Sequence, residues 1–151
     1  MEVRSSRWYG GSAVIERGPL VYALKMEEKW EKKAFEPERQ DQYGPYYHTV
    51  TTDDPWNYAF RLKDIGKENL ASGFKVEVKE IGDAYPWNLE NAPVSIKAKA
   101  VVLRNWEEYN GSTGQIAYYR EDGDDTGEEV WIELIPYGCT TLRIAEFPTR
   151  L

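Results

Sequence analysis

The chain has 151 residues, enough for one domain and too few for two well-cored ones, and its 41% apolar and 14% aromatic content supplies bulk for a single core. Its 26 acidic against 19 basic residues leave a net charge of −7, which opposes the counterion-release binding that nucleic acids and anionic membranes reward, so neither is an expected partner. The longest apolar runs are about 5 residues, far short of the ~20 that a membrane-spanning helix needs, and a single cysteine, Cys139, excludes an internal disulfide.

The start, Met1 to Ser6, has no signal-like apolar core, so a secreted parent would carry its signal upstream. Trp8-Tyr9-Gly10-Gly11 reads as a loop, because paired glycines permit a tight turn. Ser12 to Arg17 and Leu20 to Leu24 are two short strand-like runs joined at Gly18-Pro19. In the second run Leu20/Tyr22/Leu24 and Val21/Ala23 are both apolar, the pattern of a central strand covered on both sides. Gly18-Pro19 brings unusual φ and a missing donor, so a bulge or sharp bend is expected there.

Met26 to Gln40 is dominated by charge and reads as a solvated loop with Trp30 pinned to the sheet. The four-residue spacing of Met26, Trp30 and Ala34 also fits one or two helical turns, which Pro37 would stop. Tyr43-Gly44-Pro45-Tyr46-Tyr47-His48 is an aromatic-rich turn leading into a β-favouring run at Thr49 to Thr52. Trp56, Tyr58, Phe60 and Leu62 alternate as a strand with one aromatic face, and Phe74/Val76/Val78 alternate against Lys75/Glu77/Lys79, whose charges mark a solvent face or an edge.

Gly82 to Pro93 is a long turn segment holding Trp87. Val94 to Arg104 is a strand that becomes apolar on both faces at Val101 to Leu103, and Asn105 to Gly114 is a loop with Trp106 and Tyr109. A short strand is expected at Gln115 to Arg120 and a turn at Glu121 to Glu128. Val130 to Ile135 is a strand bent by Pro136-Tyr137-Gly138, and Thr140 to Phe147 is the last strand, ended by Pro148. Many short strands and no three-turn amphipathic helix predict an all-β fold. The expectation is a single antiparallel β-sandwich, jelly-roll-like, spanning 1–151, with long loops and at most short helical turns.

Three stretches carry a resemblance: Ala13-Val14-Ile15-Glu16-Arg17-Gly18-Pro19-Leu20-Val21-Tyr22-Ala23-Leu24, Pro55-Trp56-Asn57-Tyr58-Ala59, and Leu134-Ile135-Pro136-Tyr137-Gly138-Cys139-Thr140-Thr141-Leu142-Arg143. In this order they resemble the region after the catalytic barrel of the beta-L-arabinofuranosidase family of glycoside hydrolases, formerly a family of unknown function. The resemblance implies a non-catalytic C-terminal β-sandwich domain cut from a larger enzyme. Its partner would be the catalytic (α/α) barrel of the same parent chain. The parent's substrates would be plant-type arabinose-containing glycans, and its zinc would sit on the barrel with a cysteine nucleophile, further cysteines and a glutamate. One cysteine and one histidine cannot assemble that set, so no cofactor is expected in this chain.

Other constellations are weaker. Asp122, Asp124, Thr126, Gly127 and Glu133 fall at positions 1, 3, 5, 6 and 12 of the EF-hand spacing. Thr at position 5, Glu129 at position 8 and an apolar strand around Glu133 argue for a plain hairpin turn instead, so no metal site is expected. Glu16 reads as a salt-bridged structural carboxylate, and Cys139 as a small buried residue. Trp56, Tyr58, Phe60 and Trp131 are assigned to packing from their strand positions. Tyr43, Tyr46, Tyr47, Trp87 and Trp106 lie in loops. They are expected to cover the sheet or dock on the barrel, and a carbohydrate-binding module would instead use them as a sugar platform. A small stand-alone hydrolase is the third reading, weakened by the lack of a nucleophile–base pattern.

Overall fold

A computed structural model describes residues 1–61, 73–120 and 126–149. The fold is all-β. The strands are β1 (Val3–Trp8), β2 (Ser12–Arg17), β3 (Leu20–Leu24), β4 (Lys29–Ala34), β5 (Tyr46–Thr51), β6 (Tyr58–Ala59), β7 (Phe74–Val78), β8 (Val94–Leu103), β9 (Thr126–Pro136) and β10 (Glu146–Pro148). One helix, α1 (Pro37–Tyr43), is seven residues long.

Eight strands form one antiparallel sheet in the order β1-β2-β3-β9-β8-β6, with β10 added to β2 and β7 to β8. The sheet curls until β6 meets β10. Phe60, just after β6, bridges Thr149 just after β10, and the Phe60 amide donates to the Pro148 carbonyl at 2.9 Å. Curling turns one sheet into two facing layers, the sandwich-like arrangement.

Between the layers lies a core of Ile15, Tyr22, Leu24, Ile96, Ala98, Leu134 and the rings Phe60, Phe74 and Phe147. Phe60 stands 4.8 Å from Phe147 and 5.6 Å from Phe74, so an aromatic cluster fills the seam where the sheet closes. A second cluster lies on the outer side of β6 and β8, where Ala59, Val101 and Leu103 are covered by Trp106 and Tyr119 from the loop beyond β8. This is why β8 turns apolar on both faces at Val101 to Leu103: a β-bulge sits between those residues, and the loop packs over them.

The Arg-Gly-Pro corner is a full reversal. Arg17 pairs with Leu20 across a two-residue turn whose Gly18 has φ +58°, the left-handed value expected at the first position of a tight hairpin turn. β3 then pairs with β9, placing Tyr22, Ala23 and Leu24 opposite Pro136, Ile135 and Leu134.

Several expectations are corrected. β1 was not expected, and it takes Trp8 from the predicted loop; Val3 and a buried Ser5 face the core opposite Arg17 and Ile15 of β2. The charged segment is a strand: β4 pairs along its whole length with β5 in a separate two-stranded ribbon, and neither strand has a buried residue. Trp30 is therefore not pinned to the main sheet but exposed on the ribbon, its ring edge-on to His48 at 5.8 Å. Pro37 starts α1 instead of stopping a helix, since the first helical position needs no N–H donor.

The aromatic strand around Trp56 is reduced to two residues, with Leu62 outside the described residues. Gln115 to Arg120 forms no named strand, and the last strand is only Glu146–Pro148 and includes the proline. Val76 and Val78 lie exposed along β7, whose only described neighbour is β8.

Candidate functional site

A cleft of about 890 Å³ lies on the outer face of the sheet, behind the core. Alternation along the strands decides what floors it. Ile15 and Tyr22 point inward, so Val14 and Val21 point outward into the cleft, and the register of β1, β2 and β10 places Trp8 and Glu146 on that same outer face. Its walls are the loop of Trp106, Glu108 and Gly111 to Gly114, the base of the ribbon at Val50 to Thr52, Trp56, and the returning chain of Tyr137 and Leu142 to Ala145.

Three polar arrangements mark the cleft. Glu146 accepts a hydrogen bond from the Ser12 hydroxyl on Oε1. Arg143 donates from Nε to the Thr140 carbonyl at 2.8 Å and holds its guanidinium 4.8 Å from the centre of the Tyr137 ring. The Trp106 indole N–H is buried with no hydrogen-bond partner, an arrangement that native structures keep rare because it costs about 1–3 kcal/mol.

The aromatic candidates separate. Trp106 is 2% exposed and packs edge-on against Trp56 at 5.2 Å, so it is a covering residue and not an exposed loop ring. Tyr43 and Tyr47 meet on Phe35, at 5.6 and 4.7 Å. Tyr46, on the opposite face of the ribbon, lies under the Lys32 ammonium at 4.0 Å. All three tyrosines are exposed. Trp87 belongs to a different place, a smaller hollow beside Pro19, Leu20, Pro136 and Tyr137. The structure thus groups Tyr43 with Tyr47 and brings neither to the main cleft. Trp131, assigned to packing, is 47% exposed on the outer face of β9, where Lys75 and Lys99 approach its ring at 4.7 and 5.5 Å.

The calcium spacing does not close into a loop. Asp122 and Asp124 fall outside the described residues, whereas Thr126 and Glu133 sit in one extended strand. Seven strand residues span roughly 23 Å at ~3.3 Å each, so both cannot ligate one ion. Glu133 instead pairs with Lys25 at 3.4 Å. Among the described residues no three His, Cys, Asp or Glu side chains group as metal ligands.

Cys139 is buried in the turn after β9, its Sγ 3.5 Å from the Pro86 carbonyl, and burial raises its thiol pKa above the ordinary value. A thiol held protonated is a poor nucleophile and a poor zinc ligand. His48 is exposed on the ribbon beside Trp30, so the residues present do not fit the zinc set of the resembled enzymes. Glu16 pairs with Arg4 at 3.5 Å across β1 and β2, a structural contact. Burial likewise raises the Tyr22 phenol, with the neighbouring Arg17 guanidinium acting against it.

The cleft residues Trp8, Glu108, Arg143 and Glu146 were not predictable as a group. They come from three stretches of the chain, and only the curling of the sheet brings them to one face. No protein-family model and no curated protein matches the chain.

Proposed function

We propose that the chain is a non-catalytic accessory β-sandwich domain of a glycoside hydrolase resembling the beta-L-arabinofuranosidases, which packs on and stabilises the catalytic (α/α) barrel of its parent. The observation that carries this reading is that the three family-like stretches converge in space. Residues 22–24 pair with 134–136, and Val14, Val21, Trp56, Tyr137, Leu142 and Arg143 line one cleft.

The ribbon of β4 and β5 is the element best suited to reach the barrel. A two-stranded ribbon has little stability by itself in water, yet this one presents Trp30, Tyr46 and Tyr47 to solvent, with Tyr43 exposed on the helix that joins its strands. Interdomain surfaces of ~600–1,500 Å² commonly bury such rings. The carbohydrate-binding reading draws its support from the cleft, with its rings and the side chains of Arg143 and Glu146, and not from the ribbon.

The reading is tested by assaying the chain alone against arabinofuranosides with and without added zinc. No turnover above a boiled control is expected. Turnover abolished by Cys139→Ala would overturn the non-catalytic assignment.

A further inference from the structure

The cleft holds side chains whose binding capacity no described neighbour exhausts. Trp8 is 57% exposed and gives its indole N–H to the Ser6 hydroxyl at 3.2 Å, so its ring face is what it still offers. Arg143 uses Nε on the Thr140 carbonyl and rests on Tyr137, which fixes the guanidinium plane and leaves both terminal nitrogens without a described protein acceptor. Glu146 uses Oε1 on Ser12, leaving Oε2 to accept. Trp106, in the wall, keeps a buried N–H without an acceptor.

We propose that this cleft binds a neutral saccharide unit, with a sugar ring stacked on Trp8 and its hydroxyls held between Arg143 and Glu146. The chemistry of the lining selects this class. A hydroxyl both donates and accepts, so adjacent sugar hydroxyls satisfy a guanidinium and a carboxylate together, while the C–H face of the ring covers the indole. An anionic ligand would meet Glu108 and Glu146 against the single cation Arg143, in a chain already at −7. A purely apolar ligand would strand both Arg143 and Glu146 away from water, a loss of several kcal/mol for an unpaired charge. The volume, about 890 Å³, falls within the ~300–1,000 Å³ of small-ligand sites and leaves room for more than one ring. The site stands on the cleft alone and does not depend on the parentage of the chain.

Calorimetric titration of the chain with arabinotriose, xylotriose and cellotriose, with trigalacturonate and inorganic phosphate as charged controls, tests it. At least one neutral trisaccharide should bind, and Trp8→Ala and Arg143→Gln should each weaken that binding by about tenfold or more, equivalent to ~1.4 kcal/mol. Trp8→Phe keeps a ring and should retain most of the affinity, which separates loss of stacking from loss of structure. Trp131→Ala, which removes an exposed ring outside the cleft, should change nothing. The proposal is overturned by no neutral trisaccharide binding at about 10 mM, by tighter binding of either charged control, or by binding that survives both cleft variants.

Discussion

Two tryptophans, one covered and one exposed, make a quantitative test. Trp106 is 2% exposed under the loop beyond β8, and Trp131 is 47% exposed on β9 between two lysines. Trp106→Ala removes a fully packed indole and its edge contact with Trp56 at 5.2 Å. The expected cost is about 3–5 kcal/mol, of which the ring pair contributes ~0.5–1.5. Trp131→Ala forfeits half-exposed area and two solvent-screened ammonium contacts of ~0.5–1 kcal/mol each, so its cost should stay below that of Trp106→Ala.

Trp106→Phe sharpens the reasoning. It gives up roughly 1 kcal/mol of apolar contact but also deletes the buried N–H that has no acceptor, whose desolvation costs about 1–3 kcal/mol. The net change should lie between about zero and ~2 kcal/mol in favour of the variant. Urea unfolding followed by far-UV circular dichroism reads all three. With m of ~2 kcal/mol/M, Trp106→Ala should lower the midpoint by about 1.5–2.5 M, and Trp106→Phe should leave it unchanged or raise it by up to about 1 M. A Trp131→Ala cost exceeding that of Trp106→Ala would refute the placement of both rings.

Cys139 should resist alkylation by iodoacetamide at neutral pH and react promptly in urea, because burial holds the thiol protonated; equal rates in both conditions would contradict its burial. Tyr22, Tyr58 and Cys139 all have folded pKa values raised by burial, above ordinary values of 10.0, 10.0 and 9.0. Below pH 9 their protons are bound in both states, so their contribution to stability is fully present there. Above it the unfolded chain releases them first, and the unfolding midpoint should fall progressively as pH rises from about 9 towards 11. Millimolar calcium should leave the melting temperature unchanged, whereas a micromolar 1:1 calorimetric isotherm would restore the EF-hand reading that the extended course of β9 argues against.

Much of the fold was readable as period-two alternation. The hairpin of β2 and β3, the long β8, and β9 around Ile132 and Leu134 all alternate around residues that meet in one core. The two-sided apolar character of β3 was also legible, but not its meaning: Tyr22 and Leu24 face the core, whereas Val21 borders an open cleft. What alternation cannot decide is which face of a strand is covered. Hence Trp131, opposite the inward set of β9, was assigned to packing and stands exposed.

β1 was missed because one of its two inward positions is Ser5, a small polar residue that gives no hydrophobic signal. The ribbon was missed because both its faces meet solvent, so its sequence has no apolar side to detect. The cleft was illegible for a different reason. Trp8 and Glu146 are 138 residues apart, and only the addition of β10 to β2 places them on one surface.

The central claim, that this is a domain built to pack on a catalytic barrel, is tested most directly by mixing it with the separately produced upstream barrel of its parent and measuring association by sedimentation velocity. The account predicts a one-to-one complex that is weakened by a Trp30→Ala/Tyr46→Ala pair of substitutions on the exposed ribbon. Two species sedimenting independently, or an upstream sequence that encodes no barrel, would contradict it.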